Sequence, residues 1–168
     1  MSLCDTRLRR RRCEAAMAGL RLPRPFSVPE LCRQVAERRG RPLHLHPLPA
    51  AAAAAGTCGL WLGTEAADHI FYEQRTGRLH QEHIVLHELA HILLDHHRIV
   101  PGGAGAERLL PDLDRQLVRR LMPRADYSTP QEREAETLAT MLRLGGAAPA
   151  RRPDEVLDRL RDATGVWA

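Results

Sequence analysis

The 168-residue chain contains no lysine and no asparagine, and all 25 of its basic residues are arginine. Together with the alanine run at 50–55, this bias fits GC-rich coding. The formal net charge of +4 and the pI of about 9.3 are therefore weak signs of a nucleic-acid partner, and direct nucleic-acid binding is not the expected role. Aromatic residues make up 4% of the chain, so the core must rest on Leu, Ala, Val and Ile. The four cysteines stand at positions 4, 13, 32 and 58, with no Cys-x-x-Cys pair, which excludes a cysteine-based zinc or redox motif. No segment approaches 18 consecutive apolar residues, so no membrane span is expected. The basic run from Arg7 to Arg12 is not followed by the apolar stretch of a secretory signal. The expected home is cytoplasmic and reducing, with the cysteines as free thiols.

What is present suits one α+β domain. Residues 1–25 read as a basic, flexible arm, and residues 26–168 as a single domain. Ser27, Pro29 and Glu30 form a capping box that opens a helix ending at Gly40. Leu43-His44-Leu45-His46 alternates as a short strand, with the two histidines facing solvent on one side. The alanine run is a low-complexity connection. Strands follow at 58–62 and 69–73, joined by a turn longer than two residues. From about Leu79 to His96 the pattern is that of a buried helix, apolar over most of its circumference. A Gly-rich loop and a helix at 112–121 lie within an insertion spanning 98–128. A further helix starts after Thr129 and is stopped by Gly145-Gly146, and a last one begins at Pro153. The architecture is thus a small, about three-stranded sheet packed on helices, with a helical C-terminal half.

Within the buried helix stands His87-Glu88-Leu89-Ala90-His91. Residues four apart share a helix face, so the two imidazoles can grip one zinc ion. Glu88 lies about 100° further round the helix, placed to take a proton from water at the ion rather than to ligate it. Chance alone would yield this pattern in roughly one chain in thirty of this composition, so its setting matters. Here His83, His87, His91, Asp95 and Glu88 form one polar stripe on an otherwise apolar helix. Burying that stripe without partners would be costly, and a metal turns it into ligands.

A catalytic zinc needs a third protein ligand. His97 has the metzincin offset, but Leu94 stands where that motif has Gly, so the helix should continue and carry His97 to the far side. Asp95 suits an orienting role behind an imidazole. The preferred ligand is Glu132 of Glu132-Arg133-Glu134-Ala135-Glu136 on the later helix, with Glu136 one turn on as a brace. Glu132 can also be read as the capping partner of Thr129, and Glu134 and Glu136 as solvated charges. Tyr72 and Tyr127 are candidates for stabilising an oxyanion.

These residues resemble the ImmA/IrrE family of metallopeptidases. The resemblance rests on His87-Glu-Leu-Ala-His91-Ile-Leu-Leu-Asp-His96 and on Glu132-Arg-Glu-Ala-Glu136-Thr-Leu-Ala139, and extends over roughly residues 27–145. Glu136 stands where the family usually has Asp or Asn, Leu138 where Phe is common, and the spacing from His91 to Glu132 is long. The resemblance implies a zinc-dependent endopeptidase with His87, His91 and Glu132 on the metal and Glu88 as general base. It further implies a protein substrate that is a helix-turn-helix transcriptional repressor, in a regulatory circuit. The rival expectation is a non-catalytic zinc-containing regulator or toxin–antitoxin component, which binds a repressor or DNA stoichiometrically.

Overall fold

In the computed structural model, Ser27 and Gly40 bound a helix where their chemistry places them. Ser27 is extended, at φ −140°, and its hydroxyl accepts from the Glu30 N–H at 3.4 Å. Gly40 takes a left-handed φ of 66° and returns its N–H to the last turn. The Glu30 carboxylate is taken up by Arg33 and Gln34, so the capping box acts through Ser27.

The structure describes residues 3–54, 56–63, 67–96 and 128–146. Among them lie α1 (Leu3–Met17), α2 (Val28–Arg39), β1 (Leu43–Pro47), α3 (Ala50–Ala54), β2 (Gly59–Gly63), β3 (Asp68–Tyr72), α4 (Arg78–Leu93) and α5 (Thr129–Gly146). The fold is α+β. The helices expected at 112–121 and from Pro153, and residues 98–127 of the insertion, fall outside the described residues.

Two segments differ from the sequence reading. Residues 3–17 form a helix rather than a flexible arm. Arginine is a good helix former, and Cys13, Ala16 and Met17 supply an apolar edge at helical spacing. Cys13 and Ala16 are buried, and α1 packs on α5. The alanine run also forms a short helix, α3, after Pro49 and buries Ala52. Alanine loses the least side-chain freedom in a helix.

The sheet has the order β1-β3-β2, with β1 parallel and β2 antiparallel to the central β3. Residues 64–67 join β2 to β3, so the hairpin turn is indeed longer than two residues. Strand alternation sends Trp61, Ile70 and Tyr72 to the face that joins the core cluster with α2 and α4. His44, His46, His69 and Phe71 share the other face. There His46 is half-buried, and its Nε2 lies 3.0 Å from His69 Nδ1. The expected pair at the surface is therefore a group of three stacked imidazoles.

Helix α4 is the centre of the molecule and packs against α2, α5, β2 and β3. It buries Ile84, Val85, Leu86, Leu89, Ala90 and Ile92; α5 offers Ala135, Leu138, Ala139 and Leu142 at the spacing of one helix face. Each buried leucine contributes about 2 kcal/mol. Cys13, Cys32 and Cys58 are free thiols, and burial pushes Cys32 up to about 12, so it stays un-ionised. Among the described residues no helix is long and apolar enough to cross a membrane.

One buried carboxylate ties the layers together. Asp68, 1% exposed, accepts from Arg39 Nε at 2.6 Å, from Arg41 Nε and Nη2 at 2.8 and 2.6 Å, and from Trp61 Nε1 at 2.9 Å. It thereby joins the end of α2 to the β2–β3 hairpin. Asp68→Asn should lower unfolding free energy by about 2–3 kcal/mol, because two partly exposed guanidiniums lose their charge partner. Urea denaturation of wild type and variant checks this; an unchanged midpoint would show that Asp68 carries no such weight.

Candidate metal centre

The start of α5 decides what Glu132 is free to do. The Ser128 hydroxyl accepts from the Gln131 N–H at 3.4 Å, and the Gln131 side chain accepts from the Ser128 N–H at 3.0 Å. The capping box of α5 is therefore Ser128 with Gln131, not Thr129 with Glu132. Glu132 instead faces α4. Its Oε2 lies 3.3 Å from His87 Nε2 and its Oε1 lies 3.6 Å from His91 Nε2. The two Nε2 atoms are 3.0 Å apart.

These three side chains can hold a metal ion, with one ligand atom from each within 4.8 Å of the others. The geometry suits the donor set. Ligand atoms about 2.0–2.1 Å from a tetrahedral ion lie about 3.3 Å from one another, near the 3.0 Å between the two Nε2 atoms and the 3.3 Å from His87 Nε2 to Glu132 Oε2, while His91 Nε2 has the other carboxylate oxygen, Oε1, at 3.6 Å. Both imidazoles present Nε2 to the common point, which leaves each Nδ1 for a partner behind it.

Those partners are present. Glu136 Oε2 lies 3.4 Å from His87 Nδ1 and 3.2 Å from His83 Nε2, which is the bracing role expected of it. Behind His91 the orienting role expected of Asp95 falls to His96. His91 Nδ1 and His96 Nδ1 are 3.0 Å apart, while Asp95 is exposed. The reason lies in the helix end. Asp95 adopts a left-handed φ of 53°, its N–H bonds to the Ile92 carbonyl, and the His96 N–H bonds to the His91 carbonyl at 3.0 Å. This is a Schellman cap, with aspartate in the place glycine usually takes. It folds His96 back onto the imidazole of the residue whose carbonyl it caps. The helix therefore stops at the point where the sequence reading had it continue, and His97 falls outside the described residues. Behind His96 stands Glu134, 8% exposed, with Oε2 at 3.2 Å from His96 Nε2. Glu134 is thus a buried partner and not a solvated charge.

Glu88, the expected general base, is 2% exposed at the α4–β2 contact. Space for it depends on Gly59. A Cβ at that position would lie 2.5 Å from Ile84 Cγ2 and 2.7 Å from Glu88 Oε1. Only glycine lets the edge strand approach α4 this closely without displacing the carboxylate. Gly59 had no signal in the sequence, since a glycine at a strand start also reads as a turn. Gly59→Ala should cost about 1–3 kcal/mol by overpacking and should displace Glu88. Thermal denaturation with a crystal structure of the variant reads both; an unshifted Glu88 would contradict the close fit.

Electrostatics at His87 favour the charged form. Burial opposes protonation, but the carboxylates of Glu132, Glu88 and Glu136 outweigh it and raise the pKa above the ordinary histidine value. At His96 burial prevails over Glu134, so the neutral ring is favoured. For His87 the raised value means that the metal-free fold gains stability below the unfolded histidine pKa and loses that gain as pH rises through the folded value. A metal must displace this proton. Metal affinity should therefore fall as pH drops through the neutral range, with proton release visible in calorimetry across buffers of different ionisation heat. Uptake independent of pH between about 6 and 8 would contradict it.

Tyr72 is not directed to the trio. Its hydroxyl accepts from Gln74, and it lines a recess with Val28, Pro29 and Val85. Tyr127 lies outside the described residues. No protein-family model, curated protein or solved structure matches the chain.

Proposed function

We propose that this chain is a zinc-dependent metallo-endopeptidase of the cytoplasm. The observation that carries the reading is the convergence of His87, His91 and Glu132 from two helices, with Glu88 one residue along from His87 and buried beside it. The resemblance of the same residues to ImmA/IrrE metallopeptidases supports it and suggests a helix-turn-helix repressor as the protein substrate.

When bound, zinc would supply Lewis-acid chemistry and lower the pKa of a water toward about 7. The remaining work belongs to the chain. His87 and His91 would hold the ion through Nε2, and Glu132 would neutralise part of its charge. The Glu88 carboxylate takes the proton of the attacking water and returns it to the leaving amine. Strand β2 lies at the edge of the sheet and runs past Glu88 from Gly59 onward, so an extended peptide can add to it by backbone pairing. Such pairing presents a scissile carbonyl next to the base without demanding a particular side chain.

A stoichiometric binder is the second reading. The observation favouring it is the row of exposed arginines on α1, at Arg7, Arg10 and Arg11, which suits an acidic partner or DNA. Glu88→Gln separates the two. The variant should bind zinc as the wild type does, yet lose cleavage of a purified repressor by a factor of about 10²–10⁴. Cleavage fragments are read by mass spectrometry and bound zinc by elemental analysis. Undiminished cleavage would remove Glu88 from the mechanism, and repressor release without fragments in both proteins would favour binding.

A further inference from the structure

We propose that His96, Glu134 and Arg12 are positioning residues that lock the imidazole of His91 for the metal, which makes the N-terminal helix part of the metal centre. The inference rests on the metal reading of the trio above.

One choice fixes every proton in the chain of contacts. His91 is fully buried and presents Nε2 to His87 and Glu132. With Nε2 as ligand, its proton must sit on Nδ1. The atom facing it at 3.0 Å is another Nδ1, that of His96. Two N–H groups cannot face each other, so His96 accepts there and carries its own proton on Nε2. That Nε2 faces Glu134 Oε2 at 3.2 Å, where a carboxylate accepts. The second carboxylate oxygen, Oε1, accepts from Arg12 Nη1 at 2.8 Å. Arg12 lies 122 residues earlier in the chain, on α1. The neighbouring Cys13 is buried and donates its thiol to the Glu134 carbonyl at 3.6 Å, so the helix is seated at the same spot. No donor is left facing a donor along the path.

The two histidine ligands are therefore held differently. His87 leans directly on Glu136, whose side chain is exposed. His91 is held through a buried imidazole and a buried carboxylate, and only the far end, Arg12, reaches solvent. Such partners orient a ligand ring and fix its tautomer, and their loss typically weakens metal binding about 10- to 100-fold.

The experiment is zinc titration of the full chain against a competing chelator, with thermal denaturation of the metal-free proteins alongside. His96→Leu should weaken zinc binding about 10- to 100-fold. His96→Asn should recover much of that loss, because its amide oxygen can accept where Nδ1 stood. Arg12→Ala should weaken binding several-fold, less than His96→Leu, since the guanidinium is half-exposed. A role confined to general packing would instead lower the melting temperature of the metal-free chain and leave zinc affinity unmoved. Nitrogen-15 imidazole spectra of the unmutated, zinc-loaded chain give the independent reading: His91 protonated on Nδ1 and His96 on Nε2. A His96 protonated on Nδ1, or zinc affinity equal in wild type and His96→Leu, overturns the inference while the metal centre stands. No zinc uptake by the wild type overturns both. Should His96→Leu fail to fold, the tautomers of the unmutated chain decide.

Discussion

The close approach of α4 to α5 is the constraint on which everything else depends. A glutamate carboxylate reaches only a few ångströms from its own helix. Its oxygens can stand 3.3 and 3.6 Å from two imidazoles of another helix only if the backbones lie near one another. Helix axes pack at 8–10 Å depending on the side chains at the contact. Ala90 on α4 and Ala135 and Ala139 on α5 are all fully buried in the core cluster that the two helices share. Leu138 and Leu142 fill the rest of the same α5 face. Small side chains in a core that rests on Leu, Ala, Val and Ile suit such an approach. The apolar contact and the polar site are one arrangement, because the packing of the two helices also sets the reach of Glu132.

Three glutamates alternate along α5, yet they serve different partners because a helix turns about 100° per residue. Glu132 and Glu136 are separated by roughly 40° round the helix and share one shoulder of the apolar stripe. They meet the imidazoles from that side, Glu132 at the two Nε2 atoms and Glu136 at His83 and His87. Glu134 is roughly 200° from Glu132, on the opposite shoulder, where it meets His96 and Arg12. The apolar stripe is thus bordered by carboxylates on both sides. Burying His91, His96 and Glu134 would be expensive if they stood alone. Burying them as a connected set answers each donor with an acceptor.

How much of this was legible in the sequence follows from the range of each signal. Local chemistry read well: Ser27 and Gly40 bound α2, the apolar periodicity places α4, and the pair His87 and His91 follows from one helical turn. The choice of Glu132 over its neighbours was also open to reasoning, since Glu136 then falls on the same face as a brace. What escaped was settled by distant contacts. The arginines of α1 masked an apolar edge of three residues, which gains meaning only against α5. Glu134 reads as a surface charge until Arg12 is brought to it from the other end of the chain. His96 was misplaced because the helix was carried on through Leu94; an aspartate, not a glycine, takes the left-handed turn. Gly59 could not be recognised, because its importance is an absence of atoms beside a residue on another element.

The arrangement also bears on whether a metal here would be structural or would leave room for chemistry. Structural zinc sites close with four protein ligands, most often including cysteine. Among the described residues the converging group has three members and no cysteine. It is not sealed: the Glu132 side chain is 36% exposed and that of His87 13%, while His91 is fully buried. The site is therefore anchored on the side of His91 and open on the side of Glu132. A closed, stabilising centre would have no use for a fourth acidic group, yet Glu88 is kept almost entirely buried in a gap that only Gly59 leaves open. Glu88 is sheltered on the helix that supplies both imidazoles, one residue along from His87, where the proposed hydrolysis needs a base.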